Sequence, residues 1–202
     1  MKTILTVQHT QSIHHTNGMV GSWTNWDLTP KGIAQAEKIA KHLKAEYPDT
    51  AFRIYTSDLL RASQTAAPIG IAFGVTPERR TELRERNLGR CCGKSVQWLR
   101  ENLEQPEITV DDRLFSDGES RRDAWNRLAP FYRELMESGD ENIILVSHGD
   151  LLSIFQAMFL GHSVESLEHF ELSGMAGGVS TLFINDLGKH FLRRLNDPSY
   201  LR

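Results

Sequence analysis

Two apolar runs place the strongest constraint on how this chain of 202 residues can fold. Residues 143–146 read Ile-Ile-Leu-Val without interruption, and residues 3–7 form a second, largely apolar run near the start of the chain. A strand that is apolar on both faces has to be covered on both faces, which is typical of a parallel sheet between two layers of helices. The sequence therefore predicts an α/β fold, a three-layer α/β/α sandwich around a mainly parallel sheet.

Segments with helical spacing alternate with the predicted strands. One helix is predicted to begin at Thr29-Pro30, where a capping side chain precedes a proline that suits the first helical turn. A second is predicted to start after residues 57–58 and to end near Pro68, because proline interrupts the helical hydrogen-bond ladder. The remaining predictions are strands at 52–56, 179–184 and 190–195 and helices at 96–103, 119–137 and 151–160, whereas residues 77–116 otherwise show no clear pattern.

Composition and charge narrow the function classes. Lysine and arginine number 23 against 26 acidic residues, a net charge of −3, which lacks the basic footprint of a nucleic-acid-binding protein. No run approaches the about 20 apolar residues that cross a membrane, so no membrane partner is expected. Cys91 and Cys92 are adjacent and cannot link distant segments, which favours a reducing, cytoplasmic compartment. The length predicts one domain, residues 1–202.

Two segments of the sequence resemble known binding motifs but do not match them in full. Residues 89–95 read Gly-Arg-Cys-Cys-Gly-Lys-Ser, with three residues between the glycines where a phosphate-binding P-loop needs four. His9, His14 and His15 are numerous enough for a metal cluster, but neither an HExxH pattern nor a carboxylate partner accompanies them. We therefore expect neither a bound nucleotide nor a metal.

Short polar motifs at strand ends and helix starts carry the functional signal. They are Gln8-His9-Thr10, Leu28-Thr29-Pro30-Lys31-Gly32, Ser57-Asp58-Leu59-Leu60-Arg61-Ala62, Leu83-Arg84-Glu85-Arg86-Asn87-Leu88-Gly89, Gly118-Glu119-Ser120 and Ser147-His148-Gly149-Asp150. Each motif is weak alone, but in this order and spacing the six resemble the histidine phosphatase superfamily, also called the phosphoglycerate mutase-like family. The resemblance extends from the first strand to about residue 195 and implies the family's sandwich with a mixed sheet.

The resemblance implies a phosphomonoester hydrolase that works through a phosphohistidine. By this resemblance His9 is the nucleophile and Glu85 is the general acid and base. Neutral imidazole suits the task, because its ordinary pKa of about 6.5 leaves it uncharged toward a dianionic ester. Arg61 is expected to offer its planar fork to the phosphoryl oxygens, and His148, if protonated, a second positive donor. The histidine does the covalent chemistry, so no cofactor is implied.

The chain departs from the family pattern around His9. Gln8 stands where the family has an arginine that contacts the phosphoryl group, so a donor amide is kept and the charge is lost. Asn17 follows His9 by eight residues, where the family often has an asparagine at six, the place that His15 occupies here. Gln8 is expected to contact the phosphoryl group, and Asn17 to reach it only if the loop is longer. Whether His14 and His15 line the pocket entrance or are simply exposed stays open.

Three function hypotheses follow. Because the family's mutases are longer, hydrolysis of a small phosphorylated substrate or a phosphoprotein is favoured over mutase-type phosphoryl transfer between positions. Arg84, Arg86 and Arg90 could neutralise a second acidic group on the substrate. The third hypothesis is a degenerate member, marked by Gln8, that binds a phosphorylated ligand or protein without efficient turnover. Glu85 argues for the enzyme, since a pure binder has no need of a proton donor.

Overall fold

Six strands form one mixed sheet in the computed structural model, which describes residues 1–202. The strands are β1 Lys2–Gln8, β2 Arg53–Ser57, β3 Glu78–Arg80, β4 Asn142–Ser147, β5 Val179–Ile184 and β6 His190–Asp197. Their order across the sheet is β3-β2-β4-β1-β5-β6. Neighbours among the first four strands are parallel, whereas the β1–β5 and β5–β6 pairs are antiparallel. The predicted mainly parallel, mixed sheet is confirmed.

Helices cover both faces of this sheet. They are α1 His14–Asn17, α2 Pro30–Glu46, α3 Leu60–Phe73, α4 Val96–Asn102, α5 Arg121–Glu137 and α6 Gly149–Phe159, with 3₁₀ turns at Thr81–Leu83, Gly89–Cys91, Val164–Glu168 and Pro198–Leu201. Successive residues of β4 point to opposite faces. Ile143 and Leu145 pack with α5 and α6. Ile144 and Val146 pack with α2 and α3, which confirms the three-layer sandwich. No helix is both long enough and apolar enough to span a membrane.

Helix α3 does not end where the sequence predicts. It continues through Pro68 to Phe73 and ends at Gly74, whose φ of +68° suits a left-handed helix terminus. It begins at Leu60 with Leu59 at the N-cap position, after residues 57–58 as predicted. The proline removes one backbone donor, but the helix beyond it buries Ile69 completely against the sheet, which stabilises the extra turn.

The register of the two central strands brings two predicted site residues together. Gln8 pairs with Ser147 in the parallel β1–β4 ladder. The next residues, His9 and His148, therefore leave the sheet side by side at the carboxyl ends of their strands. This edge of an open α/β sheet is where ligands usually bind.

Candidate active site

His9 has a defined tautomer. Its Nδ1 lies 2.9 Å from the carbonyl oxygen of Thr10, and because a carbonyl can only accept, Nδ1 carries the proton and donates. The lone pair is therefore on Nε2, to which Arg61 Nε–H donates a hydrogen bond at 3.1 Å. Burial, followed by the charge of Arg61, holds the pKa of His9 well below its ordinary value of about 6.5. The ring is thus a neutral imidazole with an available nucleophilic nitrogen.

Arg61 lies in the first turn of α3 and is almost completely buried. Its two terminal nitrogens each donate to a backbone carbonyl at 2.8 Å, Nη1 to Thr24 and Nη2 to Ser22. The expectation that Arg61 presents its planar fork to a phosphoryl group is therefore wrong, because the long loop after β1 folds over the fork. Only Nε faces His9. Burial lowers the pKa of Arg61 to about 10, so the side chain remains a cation at neutral pH.

His148 is buried at the N-cap position of α6 without a hydrogen-bond partner. Neither of its ring nitrogens has a partner, and its ring centroid lies 5.1 Å from that of His9. Burial, then the charge of Arg61, holds the pKa of His148 well below its usual value. In the unliganded site the ring is therefore neutral, not the positive donor that was expected. Buried polar atoms without partners are uncommon, and here two of them belong to a ring that lies directly beside His9.

Glu85 reaches the N-terminus of α6 from the loop that follows β3. Its Oε1 accepts hydrogen bonds from the backbone N–H groups of Arg86 at 3.0 Å and Leu151 at 3.1 Å, and its Oε2 accepts from Asp150 N–H at 3.4 Å. Burial, followed by the neighbouring Asp150 carboxylate, raises the pKa of Glu85 despite these amides. A carboxyl group that keeps its proton to higher pH is suited to donate it.

His9, Arg61 and Glu85 line one cavity of about 210 Å³, and the ring of His148 lies beside that of His9 without lining the cavity. The cavity lies at the carboxyl ends of β1 and β4. Its lining comprises Gln8, His9, His14, His15, Val20, Gly21, Ser22, Arg61, Glu85, Arg86, Leu88, Gly149 and Asp150. Five of the eight predicted site residues therefore line this cavity, whereas His148, Asn17 and Arg84 do not. A larger, more open crevice elsewhere is lined by His42, Glu46, Arg194, Asp197, Ser199 and Tyr200, and its Arg194, Glu46 and Tyr200 pair with one another.

Gln8 lines the cavity at the end of β1. Its side chain fits between two glycines, since a Cβ at Gly149 would come within 3.3 Å of Nε2 and a Cβ at Gly174 would overlap Oε1. Oε1 is buried without a hydrogen-bond partner. The residue lines the cavity beside His9, so its amide can reach a bound group there.

Asn17 and Arg84 lie outside the cavity, contrary to expectation. Asn17 is exposed at the end of α1, where its Oδ1 accepts a hydrogen bond from Met19 N–H at 2.9 Å. The loop therefore turns this side chain outward. Arg84 forms two parallel hydrogen bonds with the carboxylate of Asp58, at 2.7 and 2.6 Å, and stacks on Trp23. A guanidinium paired in this way supports the loop rather than a ligand.

His14 and His15 line the cavity in place of Asn17. The Nδ1 of His15 accepts a hydrogen bond from Ser12 N–H at 3.2 Å, so the proton of the neutral ring is on Nε2. Its ring stacks on that of His9, with centroids 5.3 Å apart. Burial lowers the pKa of His15, and burial together with His15 lowers the pKa of His14 to about 3. The signal available in the sequence was that His15 holds the sixth place after His9.

The three histidines of this loop fit an anion better than a metal ion. Nitrogen atoms of His9, His14 and His15 lie within 4.8 Å of one another. However, the Nε2 of His15 carries a proton instead of a lone pair, and Arg61 places a positive charge against His9. A metal ligand must offer a lone pair, and a nearby cation opposes a second one. N–H groups and positive charge are what a phosphoryl group requires.

Sequence and structure comparisons identify the family. A family model described as histidine phosphatase superfamily (branch 1) matches residues 4–198. The chain belongs to this superfamily. The 2,3-bisphosphoglycerate-dependent phosphoglycerate mutase of Cytophaga hutchinsonii is 29% identical, over 86% of this chain and 84% of that one. The glucosyl-3-phosphoglycerate phosphatase of Mycolicibacterium vanbaalenii is 28% identical, over 82% and 77% of the two chains.

A solved structure confirms the fold of this histidine phosphatase family member. Bacillus stearothermophilus YhfR superposes with a TM-score of 0.84 over 100% of both chains, at 22% identity. Similarity at that identity concerns the fold alone. Relatives named as phosphatases and as mutases both occur, so the family membership supports phosphoryl-transfer chemistry in general.

Proposed function

We propose that this chain hydrolyses small phosphomonoesters through a phosphohistidine on His9, with Glu85 as the proton donor. The observation that carries the proposal is the hydrogen bond from His9 Nδ1 to the Thr10 carbonyl, which leaves a neutral ring with its lone pair on Nε2 in the cavity. The partner group is the buried carboxyl of Glu85, whose pKa is raised. A nucleophile and an acid on one cavity are the minimum that ester cleavage by this route requires.

The first step forms the P–N bond. His9 Nε2 attacks phosphorus, the P–O bond to the leaving alcohol breaks, and Glu85 gives its proton to the departing oxygen. The bond from Nδ1 to Thr10 keeps that proton in place while the ring becomes positively charged. In the second step water attacks phosphorus, Glu85 takes the proton from that water, and the P–N bond breaks. Inorganic phosphate leaves, and His9 returns to its neutral form.

Four donors surround the phosphoryl position in this proposal. Arg61 Nε–H, which binds His9 Nε2 in the empty site, turns to a phosphoryl oxygen once the lone pair attacks. His15 Nε2–H and the Gln8 amide supply two further N–H groups, and the unpartnered ring of His148 supplies another. Donors held in place by backbone contacts stabilise charge that develops in the transition state.

The size of the cavity favours a small substrate. Its volume of about 210 Å³ lies below the range of about 300–1,000 Å³ that is common for ligand pockets. A small phosphorylated molecule is therefore the preferred substrate, ahead of a phosphoprotein. We further propose a single domain of residues 1–202, since one sheet takes strands from both ends of the chain, and a cytoplasmic location, which suits two free cysteines.

A rapid-quench experiment with a radiolabelled phosphomonoester tests the mechanism. Label that is lost in acid and kept in base is expected on His9, and peptide mapping should assign it there. His9→Gln should abolish the label, whereas His14→Gln, a change of the same type in the same cavity, should still be labelled. Acid-stable label, or label on Ser12, would contradict the histidine mechanism. Tight phosphate binding, with no label in the wild type or in His14→Gln, would favour the alternative that Gln8 suggests, a binding protein without turnover.

A further inference from the structure

The second guanidinium of the cavity, that of Arg86, is fully engaged by carboxylates. Its Nε donates to Asp150 Oδ2 at 2.7 Å. Both terminal nitrogens contact the carboxylate of Glu107, and Nη2 lies 3.1 Å from Oε2. Only 6% of the Arg86 side chain is exposed. Arg86 lines the cavity but has no free edge for an acidic group on a substrate.

The other arginines that could have neutralised such a group are paired too. Arg84 binds the carboxylate of Asp58 on two nitrogens and does not line the cavity. Arg90 lies 2.8 Å from Glu104 and 3.3 Å from Asp117, also away from the lining. The expectation that these arginines and Arg86 serve a second acidic group is therefore wrong.

Beyond the phosphoryl position the cations are already paired with carboxylates. One cation, Arg86, faces two carboxylates, Asp150 and Glu107. Asp150 lines the cavity, and its Oδ1 has a single distant cation, Arg121 Nε at 3.9 Å. The remaining wall on this side is uncharged and includes Val20 and Leu88. A carboxylate on the leaving alcohol would meet like charge in a confined space, whereas a hydroxyl or an ammonium group would not.

We infer that the site selects phosphate esters whose alcohol carries no carboxylate, and tolerates uncharged or cationic alcohols. This inference rests on the proposed function and names its substrate class. It separates the chain from the two relatives described above, whose names refer to phosphoglycerate, an acid. The selecting residues are Asp150 and Glu107, which together occupy the guanidinium of Arg86, the one that lines this side of the cavity.

Two matched ester pairs test the inference. Phosphoethanolamine differs from phosphoserine by one carboxylate, and glycerol 3-phosphate differs from 3-phosphoglycerate by one carboxylate in place of a hydroxymethyl group. We expect kcat/KM to favour the ester without the carboxylate by at least about tenfold in both pairs. Equal values within a pair, or a preference for the acid, would overturn the inference.

A variant isolates the cause. Glu107→Gln removes the negative charge that faces the terminal nitrogens of Arg86 and should raise kcat/KM for each acidic ester, relative to its partner without the carboxylate, by at least about fivefold. Glu104→Gln makes the same charge change at Arg90, outside the cavity, and should leave both preferences as in the wild type. An equal effect of the two variants would show that net charge, not Arg86, sets the preference, and would refute the assignment. Thermal melts of both variants establish that they fold.

Failure of the inference can be distinguished from failure of the proposed function. If no ester is hydrolysed, the proposed function fails. The preference is then measured as the dissociation constants of phosphoethanolamine and phosphoserine for the wild-type chain. Equal affinity there overturns the inference, and tighter binding of phosphoethanolamine supports it.

Discussion

Replacing Gln8 by arginine should restore a positive charge beside the phosphoryl group. The side chain leaves the end of β1 between Gly149 and Gly174, neither of which has a Cβ to obstruct it. Arginine is two heavy atoms longer than glutamine, so its guanidinium has to extend into the cavity that Gln8 already lines. The cavity volume of about 210 Å³ provides space for it and for a phosphoryl group.

The expected gain follows from the kind of hydrogen bond that changes. A charge-assisted hydrogen bond contributes about 1.5–3 kcal/mol, against about 1 kcal/mol for the neutral amide. A difference of about 1–2 kcal/mol realised in the transition state raises kcat/KM about 5–30-fold. Arg61 lies on the same cavity, and repulsion between the two cations in the empty site should lower the melting temperature of Gln8→Arg. A bound dianion removes that repulsion, so phosphate should stabilise the variant more than it stabilises the wild type.

Steady-state hydrolysis of p-nitrophenyl phosphate and inhibition by phosphate measure both effects. Gln8→Met is the matched control, because it keeps a side chain of similar length and removes the amide donor. It should lower kcat/KM about fivefold, the value of one neutral hydrogen bond. If the arginine improves KM alone, it binds ground state and transition state alike. If Gln8→Arg melts like the wild type and changes neither the rate nor the phosphate affinity, Gln8 does not face the phosphoryl group and the reasoning is refuted.

Three further predictions concern pH and the loop. The pKa of His9 and of His148 is held well below 6.5 in the folded chain, so the unfolded chain binds more protons below about pH 6.5. The free energy of unfolding should therefore fall as the pH decreases from about 7.5 to about 5, and thermal melts of His148→Asn should show a shallower fall. Asp150→Asn removes a charge that raises the pKa of Glu85, so the basic limb of the pH profile of kcat for an alkyl phosphate should move to lower pH; an unmoved limb would exclude Glu85 as the acid. Asn17→Ala should change kcat/KM by less than about twofold, because the side chain is exposed and outside the cavity; a tenfold loss would contradict its position.

The layered fold was predictable because a strand that is buried on both faces has an uninterrupted run of apolar residues. Residues 143–146 can be apolar throughout only in a strand covered on both faces, and the structure places them at the centre of the sheet. Strand β3 has no apolar run in its sequence. It has three residues, Glu-Arg-Arg, and pairs only with β2 at the edge of the sheet, where charge is favourable because it discourages pairing with other chains.

The residues of the site were predictable, but their pairing was not. Placement after strand ends and at helix starts was sufficient to predict that His9, Arg61 and Glu85 line one cavity and that His148 follows the neighbouring strand beside His9. The carboxylates that pair with the arginines of the site determine which arginines are free to bind a substrate. These carboxylates lie far from the arginines in the sequence, at no characteristic spacing. For example, Asp150 stands 64 residues after Arg86. Local sequence cannot identify such a pair, because any of several surface carboxylates could supply it.

We expect the charge of this site to depend on its ligand. Arg61 is the cation that faces the phosphoryl position, and two of its nitrogens are held by backbone carbonyls. The histidines around it are neutral in the empty cavity, because burial and the charge of Arg61 lower the pKa of each. A dianion reverses the sign of that Coulomb interaction and favours protonation of the rings that it contacts. We therefore expect His148, whose ring nitrogens both lack a partner, to become protonated when an ester is bound and to supply positive charge next to His9.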